Sequence, residues 1–119
     1  MQILHLEYSA FFRKIIHDML VEAGFNPIST KSGKDLYKVL ATEDIDVIIT
    51  GLELADMTGE ELIEDVRDSK FGNLPIVVIT GSDMSEVRER MKGLFIDDFI
   101  LKTQLTQERL VDSIERLVE

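Results

Sequence analysis

The side chains in this sequence that could act on a ligand are few and far apart: Glu7 with Tyr8, a Thr80-Gly81-Ser82 run, and Lys102 followed by Thr103. A carboxylate, hydroxyls and an amine of this kind suit two tasks, pairing of opposite charges and capture of an oxyanion by Thr80, Ser82 and Lys102 donors near helix starts. Other chemistries are closed. With no cysteine in the chain, thiolate nucleophiles, disulfides and sulfur-bound zinc or iron–sulfur centres are excluded. Neither GxGxxG nor GxxxxGK followed by Ser or Thr occurs, and the turn Glu7-Tyr8-Ser9-Ala10-Phe11 is a poor cradle for an FMN phosphate. His5 falls inside an apolar run and is expected to be a core residue with its hydrogen bonds made. His17 has no cysteine or close second histidine and is given no metal role.

These residues form one site only if the elements between them bring them to one edge. Short apolar runs recur at Ile3 to Leu6, Asp46 to Thr50, Pro75 to Thr80 and Phe99 to Leu101, with a weaker one at Pro27 to Ser29. Their apolar residues are continuous rather than alternating, as in parallel strands covered on both faces. Between them lie helical stripes, Phe11, Phe12, Ile15, Ile16, Met19 and Leu20 in one, and Leu110, Val111, Ile114, Leu117 and Val118 in another. Five starts are marked: Ser9; Ser32 with Asp35; Thr58 with Glu61; Asp83 with Glu86; Thr106. Gly24 stands where the first helix should stop. Five βα units with right-handed crossovers predict a three-layer, doubly wound α/β fold with a parallel five-stranded sheet in the flavodoxin-like order 2-1-3-4-5. Ligand sites in such sheets lie at the carboxyl ends of the strands, near the switch point between the first and third. That edge gathers Glu7, Tyr8, Gly51, Leu52, Glu53, Thr80, Gly81, Lys102 and Thr103.

The 119 residues suffice for one domain, expected over 1–119, and 45% hydrophobic content supplies its core. The formal charge of −10 repels phosphate backbones and anionic membranes, so neither nucleic acid nor a membrane is an expected partner. Met1 to Leu6 lacks the pattern of a secretion signal and no apolar run is long enough to span a bilayer; a cytoplasmic location is expected. The Glu60-Glu61 and Glu64-Asp65 pairs are expected to form a solvated helix face, and the methionines to fill core and loops.

In combination, several segments resemble the receiver domains of bacterial two-component response regulators. Asp46 to Gly59 is similar to that family's third strand and loop, including Met57-Thr58-Gly59 at the opening of a helix. Pro75 to Gly81 looks like its fourth strand, ending in a hydroxyl and a small residue. Asp97-Asp98-Phe99-Ile100-Leu101-Lys102 looks like its fifth, with an aromatic three residues before the lysine, and Leu4 to Lys14 looks like its first strand and helix start.

The resemblance implies phosphoryl transfer to an aspartate at the end of the third strand. Two acids after the first strand would hold Mg²⁺, the lysine would pair with phosphate charge and the hydroxyl would report the acyl phosphate. In this chain the acceptor position is Gly51 and the acid pair is Glu7-Tyr8, while Thr80, Lys102 and the switch-like aromatic Phe99 remain. The expectation is a pseudo-receiver, not an enzyme, with no catalytic residue, metal or cofactor. Glu7 is expected to pair with Lys102, and Tyr8 to fill the space the aspartate would have used; Gly51 could also serve close backbone approach. Thr103 replaces the family's proline, so no cis peptide is expected there.

The resemblance also implies protein partners, or a homodimer, through the face of the fourth helix, fifth strand and fifth helix (Asp83 to Lys92, Asp97 to Lys102, Thr106 to Glu119). Arg88, Arg90, Lys92, Arg109 and Arg116 put positive charge there. Three alternatives stay open: an anion or small-metabolite sensor in the vacated pocket, another acceptor such as Glu53 or Asp56, and a regulatory N-terminal domain of a larger output protein.

Overall fold

Branched apolar residues build the sheet as their continuous runs predict. The computed structural model describes residues 1–118, and its strands are β1 (Gln2–Leu6), β2 (Asn26–Thr30), β3 (Val47–Thr50), β4 (Ile76–Thr80) and β5 (Asp98–Leu101). All pairings are parallel, in the order β2-β1-β3-β4-β5. Connecting them are α1 (Ala10–Glu22), α2 (Asp35–Thr42), α3 (Gly59–Arg67), α4 (Met84–Arg90) and α5 (Gln107–Leu117), with a short 3₁₀ turn at Lys102–Gln104.

Alternation along each strand divides the core in two. Leu4, Leu6, Ile48, Ile76 and Val78 face α2, α3 and α4, packing on Leu36, Leu40, Leu62, Ile63, Val66 and Val87. Ile3, Val47, Ile49, Val77, Ile79 and Ile100 face α1 and α5, packing on Ile16, Leu20, Leu110 and Ile114. With both faces covered, the sheet needs apolar residues at nearly every position, which is why the strands show no polar alternation. No helix among the described residues is long and apolar enough to cross a membrane.

Four of the five predicted helix caps form. The Ser9, Thr58, Asp83 and Thr106 side chains accept from the backbone N–H groups of Phe12, Glu61, Glu86 and Arg109. Gly24, at φ +91°, ends α1. The N–H of Gly24 donates to the Val21 carbonyl and that of Phe25 to Leu20, the paired bonds of a Schellman stop.

Ser32 is the exception. Its hydroxyl donates to Asp56 Oδ2 at 3.0 Å instead of capping α2. Asp56, from the loop after β3, also accepts from the N–H groups of Gly33 (2.7 Å) and Lys34 (2.9 Å), so the turn into α2 is held by a residue more than twenty positions away. Gly59, at the start of α3, lies against the end of β3: a Cβ there would overlap the Gly51 carbonyl oxygen and the Leu52 Cα. That contact presses α3 onto the strand end where the predicted site lies.

Candidate functional site

The carboxyl ends of β1, β3, β4 and β5 open into a cleft of about 450 Å³, lined among others by Glu7, Tyr8, Gly51, Thr80, Gly81 and Lys102. Eight of the nine residues expected at that edge therefore meet in one place, Glu7, Tyr8, Gly51, Leu52, Glu53, Thr80, Gly81 and Lys102; Thr103 does not line the cleft.

Glu7 sits one residue beyond β1 and is 4% exposed. Lys102 begins the 3₁₀ turn after β5, and its Nζ lies 2.9 Å from Glu7 Oε1. The second carboxylate oxygen, Oε2, accepts from the Ser9 backbone N–H at 2.8 Å. Lys102 Nζ also stands 4.2 Å from the centroid of the Phe12 ring, so the ammonium is covered by a carboxylate and a π face. Thr80, buried at the end of β4, accepts from the Ser82 N–H at 3.1 Å, shaping the loop that rims the cleft.

Gly51 is buried but not crowded. A Cβ there would meet only ordinary contacts, 3.6 Å to the Ile79 carbonyl oxygen, 3.7 Å to Glu7 Oε1 and 3.9 Å to the Leu6 carbonyl oxygen. Its φ is not positive, and the close approach considered for it belongs to Gly59.

Tyr8 does not fill the space beside Gly51. Its side chain is at the mouth, and the residue is 53% exposed. The backbone of that turn is held by Arg13 on α1, whose Nη1 donates to the carbonyl oxygens of Glu7 (2.9 Å) and Tyr8 (3.2 Å). Arg13 was not evident in the sequence, because a helix-surface arginine reads as solvated charge.

Arg90 is the second unexpected member. Expected on an outer face, it turns into the cleft rim and is 19% exposed in its side chain. Its guanidinium donates to both Glu60 oxygens at 2.8 Å each, pairs with Glu53 at 2.8 Å and reaches the Leu52 carbonyl oxygen at 3.3 Å. Glu60 is thus a structural partner, not simply part of a solvated acidic face. Hydrogen bonds from Arg90 to Glu60 lead the causes that hold its proton more tightly than in a free arginine.

The rest of the expected basic face divides. Arg109 grips Asp98 with two bonds, 2.9 and 3.1 Å, and Ser113 adds a third at 2.6 Å. Burial disfavours the Asp98 carboxylate, yet Arg109 and Ser113 outweigh it and hold its pKa below the usual value. Arg116 is exposed and pairs with Asp112 at 3.3 Å and, more loosely, Asp98 at 3.8 Å. Arg88 and Lys92 are exposed and enter no ion pair among the described residues. Phe99 is half-buried and borders a groove of about 330 Å³ with Val87, Met91 and Ile96. Glu119, the end of that expected face, lies outside the described residues. All peptide bonds described are trans, including that after Lys102.

His5 is buried on the α1 face of β1. Its Nδ1 lies 2.9 Å from the Ser29 hydroxyl, which also lies 2.9 Å from His17 Nδ1, while His5 Nε2 has no partner. The expectation of a fully satisfied core histidine is met at one nitrogen only.

A sequence model for the response regulator receiver domain matches residues 3–115 of this chain. The chain belongs to that family. The receiver domain is 29% identical to the cell cycle response regulator CtrA of Brucella ovis over 118 residues, 99% of this chain and 50% of that protein. It therefore spans about half the length of the curated relatives it matches. Its fold superposes on the chemotaxis response regulator CheY4 of Vibrio cholerae with TM-score 0.84 and 23% identity, covering 98% of this chain and 97% of the other. It also superposes, with TM-score 0.89 and 19% identity, on the receiver domain of a sensor histidine kinase from Pseudomonas aeruginosa, covering 98% and 96% of the chains. That structure has a magnesium ion coordinated in its active site cleft.

The residues of this receiver do not fit such an ion. Mg²⁺ asks for oxygen ligands in a near-octahedral set, usually including one or two carboxylates. Here Glu7 has both oxygens engaged, Tyr8 offers a phenol at the mouth, and residue 51 has no side chain. Among the described residues, no three His, Cys, Asp or Glu side chains are grouped to hold a metal.

Proposed function

We propose that this response-regulator receiver domain is silent to aspartyl phosphorylation and works in two-component signalling as a protein-binding module, not as an enzyme. The observation that carries the reading is the Glu7–Lys102 pair across from Gly51. The lysine that would balance phosphate charge already holds a counter-ion, and the residue facing it has no nucleophile. The two other acids considered as acceptors are engaged elsewhere, Glu53 with Arg90 and Asp56 with Ser32, Gly33 and Lys34. An anion or metabolite sensor is disfavoured on the same ground, since Lys102 offers no free positive charge.

The partner surface proposed is the α4, β5 and α5 face, where Arg88 and Lys92 are exposed beside the groove at Phe99. Because its curated relatives are about twice as long, the chain is also proposed to regulate an attached output segment. A cytoplasmic setting goes with this reading.

The test is a Mg²⁺ titration with and without beryllofluoride, followed by amide NMR at Gly51, Thr80, Phe99 and Lys102. Beryllofluoride needs both an acceptor carboxylate and the metal. Unchanged spectra are expected; saturable shifts, or an added phosphoryl mass after acetyl phosphate treatment, would overturn the proposal.

A further inference from the structure

The cleft keeps its depth although its phosphate chemistry has no acceptor, and its charge has the opposite sign from an anion site. Four carboxylates, Glu7, Glu53, Glu60 and Glu86, surround two cations, Lys102 and Arg90. Lys102 is matched by Glu7 and covered by Phe12, and Arg90 is gripped by Glu60. Glu53 and Glu86 share Arg90 with Glu60, at 2.8 and 3.7 Å, so three carboxylates meet one guanidinium, and the Glu53 and Glu86 side chains are 69% and 52% exposed at the rim.

Shape supplies an independent observation. Gly51 and Gly81 contribute no side chains to the lining of the 450 Å³ cleft. Its mouth carries the open Tyr8 ring, and Phe11, two residues into the α1 start, is 68% exposed and edge-on to Phe12. An exposed aromatic ring in a cleft whose carboxylates outnumber their cations matches a guanidinium, which stacks on a ring through its face and donates to oxygens through its edge. Exposed aromatic side chains at the cleft, Tyr8, and on the neighbouring start of α1, Phe11, are what a macromolecule covers and a free amine does not.

We propose that this cleft is a recess for a basic side chain, an arginine above all, presented by a protein partner. The proposal rests on the silent-receiver reading, because a phosphorylated cleft would repel nothing cationic but would have no vacancy. The partner is inserted between Tyr8 on one side and Glu53 and Glu86 on the other, over the Glu7–Lys102 pair.

The experiment titrates the full chain with a capped Gly-Arg-Gly peptide, in parallel with its neutral citrulline counterpart and with inorganic phosphate, reading amide shifts at Gly51, Gly81 and Ser82. Saturable shifts are expected with the arginine peptide alone, at a Kd on the order of millimolar for so small a probe. The Glu53→Gln/Glu86→Gln variant should weaken them roughly fivefold or more, Tyr8→Ala should weaken them separately, and added salt should weaken them further. Unchanged amide shifts elsewhere establish that the variants fold. No response to arginine, equal response to citrulline, a response indifferent to the carboxylates, or binding of phosphate would each overturn the proposal. Beryllofluoride binding would instead overturn the silent-receiver reading beneath it, so the two failures are distinguishable.

Discussion

Lys102 Nζ rests 2.9 Å from Glu7 Oε1, closing an ion pair between the ends of β5 and β1 across the strand end that carries Gly51. The two strands are not neighbours in the sheet; β3 and β4 separate them. A side-chain bond therefore joins the ends of two strands that backbone pairing connects only through β3 and β4.

Glu7→Gln should expose how strongly that bond is coupled. The variant keeps an acceptor for the Ser9 N–H but leaves a mostly buried ammonium unpaired, a loss of about 2–4 kcal/mol. Lys102→Met alone should cost a similar amount by stranding the carboxylate, whereas the double variant should lie within ~1 kcal/mol of the parent. Urea midpoints measure all four proteins. Additive losses would mean that the two groups are not coupled.

Two glycines eight residues apart should behave oppositely. At Gly59 a Cβ collides with backbone that cannot swing aside, so Gly59→Ala should lose about 2 kcal/mol or more. At Gly51 the Cβ has room, and Gly51→Ala should stay within ~1 kcal/mol of the parent. Gly51→Asp adds a carboxylate next to Glu7 Oε1, so it should be the less stable of the two substitutions at residue 51. On acetyl phosphate treatment its intact mass should stay unmodified unless Glu7→Asp and Tyr8→Asp accompany it.

Strand positions and order were legible because they follow from local pattern, continuous apolar runs and capping residues at fixed offsets, whereas the Glu7–Lys102 pair was legible through the resemblance, which sets a lysine at the strand ends without its aspartate. The misses are long-range. Ser32 has the residue type and spacing of a cap, but Asp56 competes for the same turn from the β3–α3 loop. Tyr8 was expected to fill the space beside Gly51, yet it stands exposed at the mouth, on a turn whose backbone Arg13 holds from α1. Arg90 carries no local sign of its direction, because Glu53 and Glu60 reach it from a different loop and helix. Side-chain partners more than about one helical turn apart leave no periodic trace in a single sequence.

The fate of Arg109 changes how the proposed partner face should be tested. Arg109→Glu would set a carboxylate against Asp98, which loses its bidentate partner, and should destabilise the domain by about 2 kcal/mol or more. Arg88→Glu/Lys92→Glu removes exposed, unpaired charge and should leave the urea midpoint nearly unchanged. Sedimentation velocity over a range of concentrations should show self-association in the parent that this double variant loses. Identical sedimentation of the two proteins would exclude those residues from a homodimer contact.

Acid should unfold this domain through His5. One hydroxyl proton on Ser29 serves two histidines: if it donates to His17 Nδ1, the Nδ1–H of His5 donates to Ser29, and His5 Nε2 is left as a buried lone pair. Protonation would convert that lone pair into a buried N–H without an acceptor. Burial first, then the neighbouring charges of His17, Arg13 and Lys102, lower the His5 pKa from 6.5 to about 3. A histidine with a depressed pKa binds fewer protons folded than unfolded, so its contribution is complete above pH 6.5 and is lost as pH falls toward 3. The slope should approach ~1 kcal/mol per pH unit. Above about pH 4.5 this is separable from Asp56, whose pKa is lowered chiefly by the Gly33 N–H, and from Asp98, since carboxylates titrate lower. Urea unfolding of the parent and of His5→Leu between pH 7 and about 4.5 should give a falling profile for the first and a flatter one for the second. Parallel profiles would move the acid sensitivity to another group and leave the unpartnered Nε2 without a role in it.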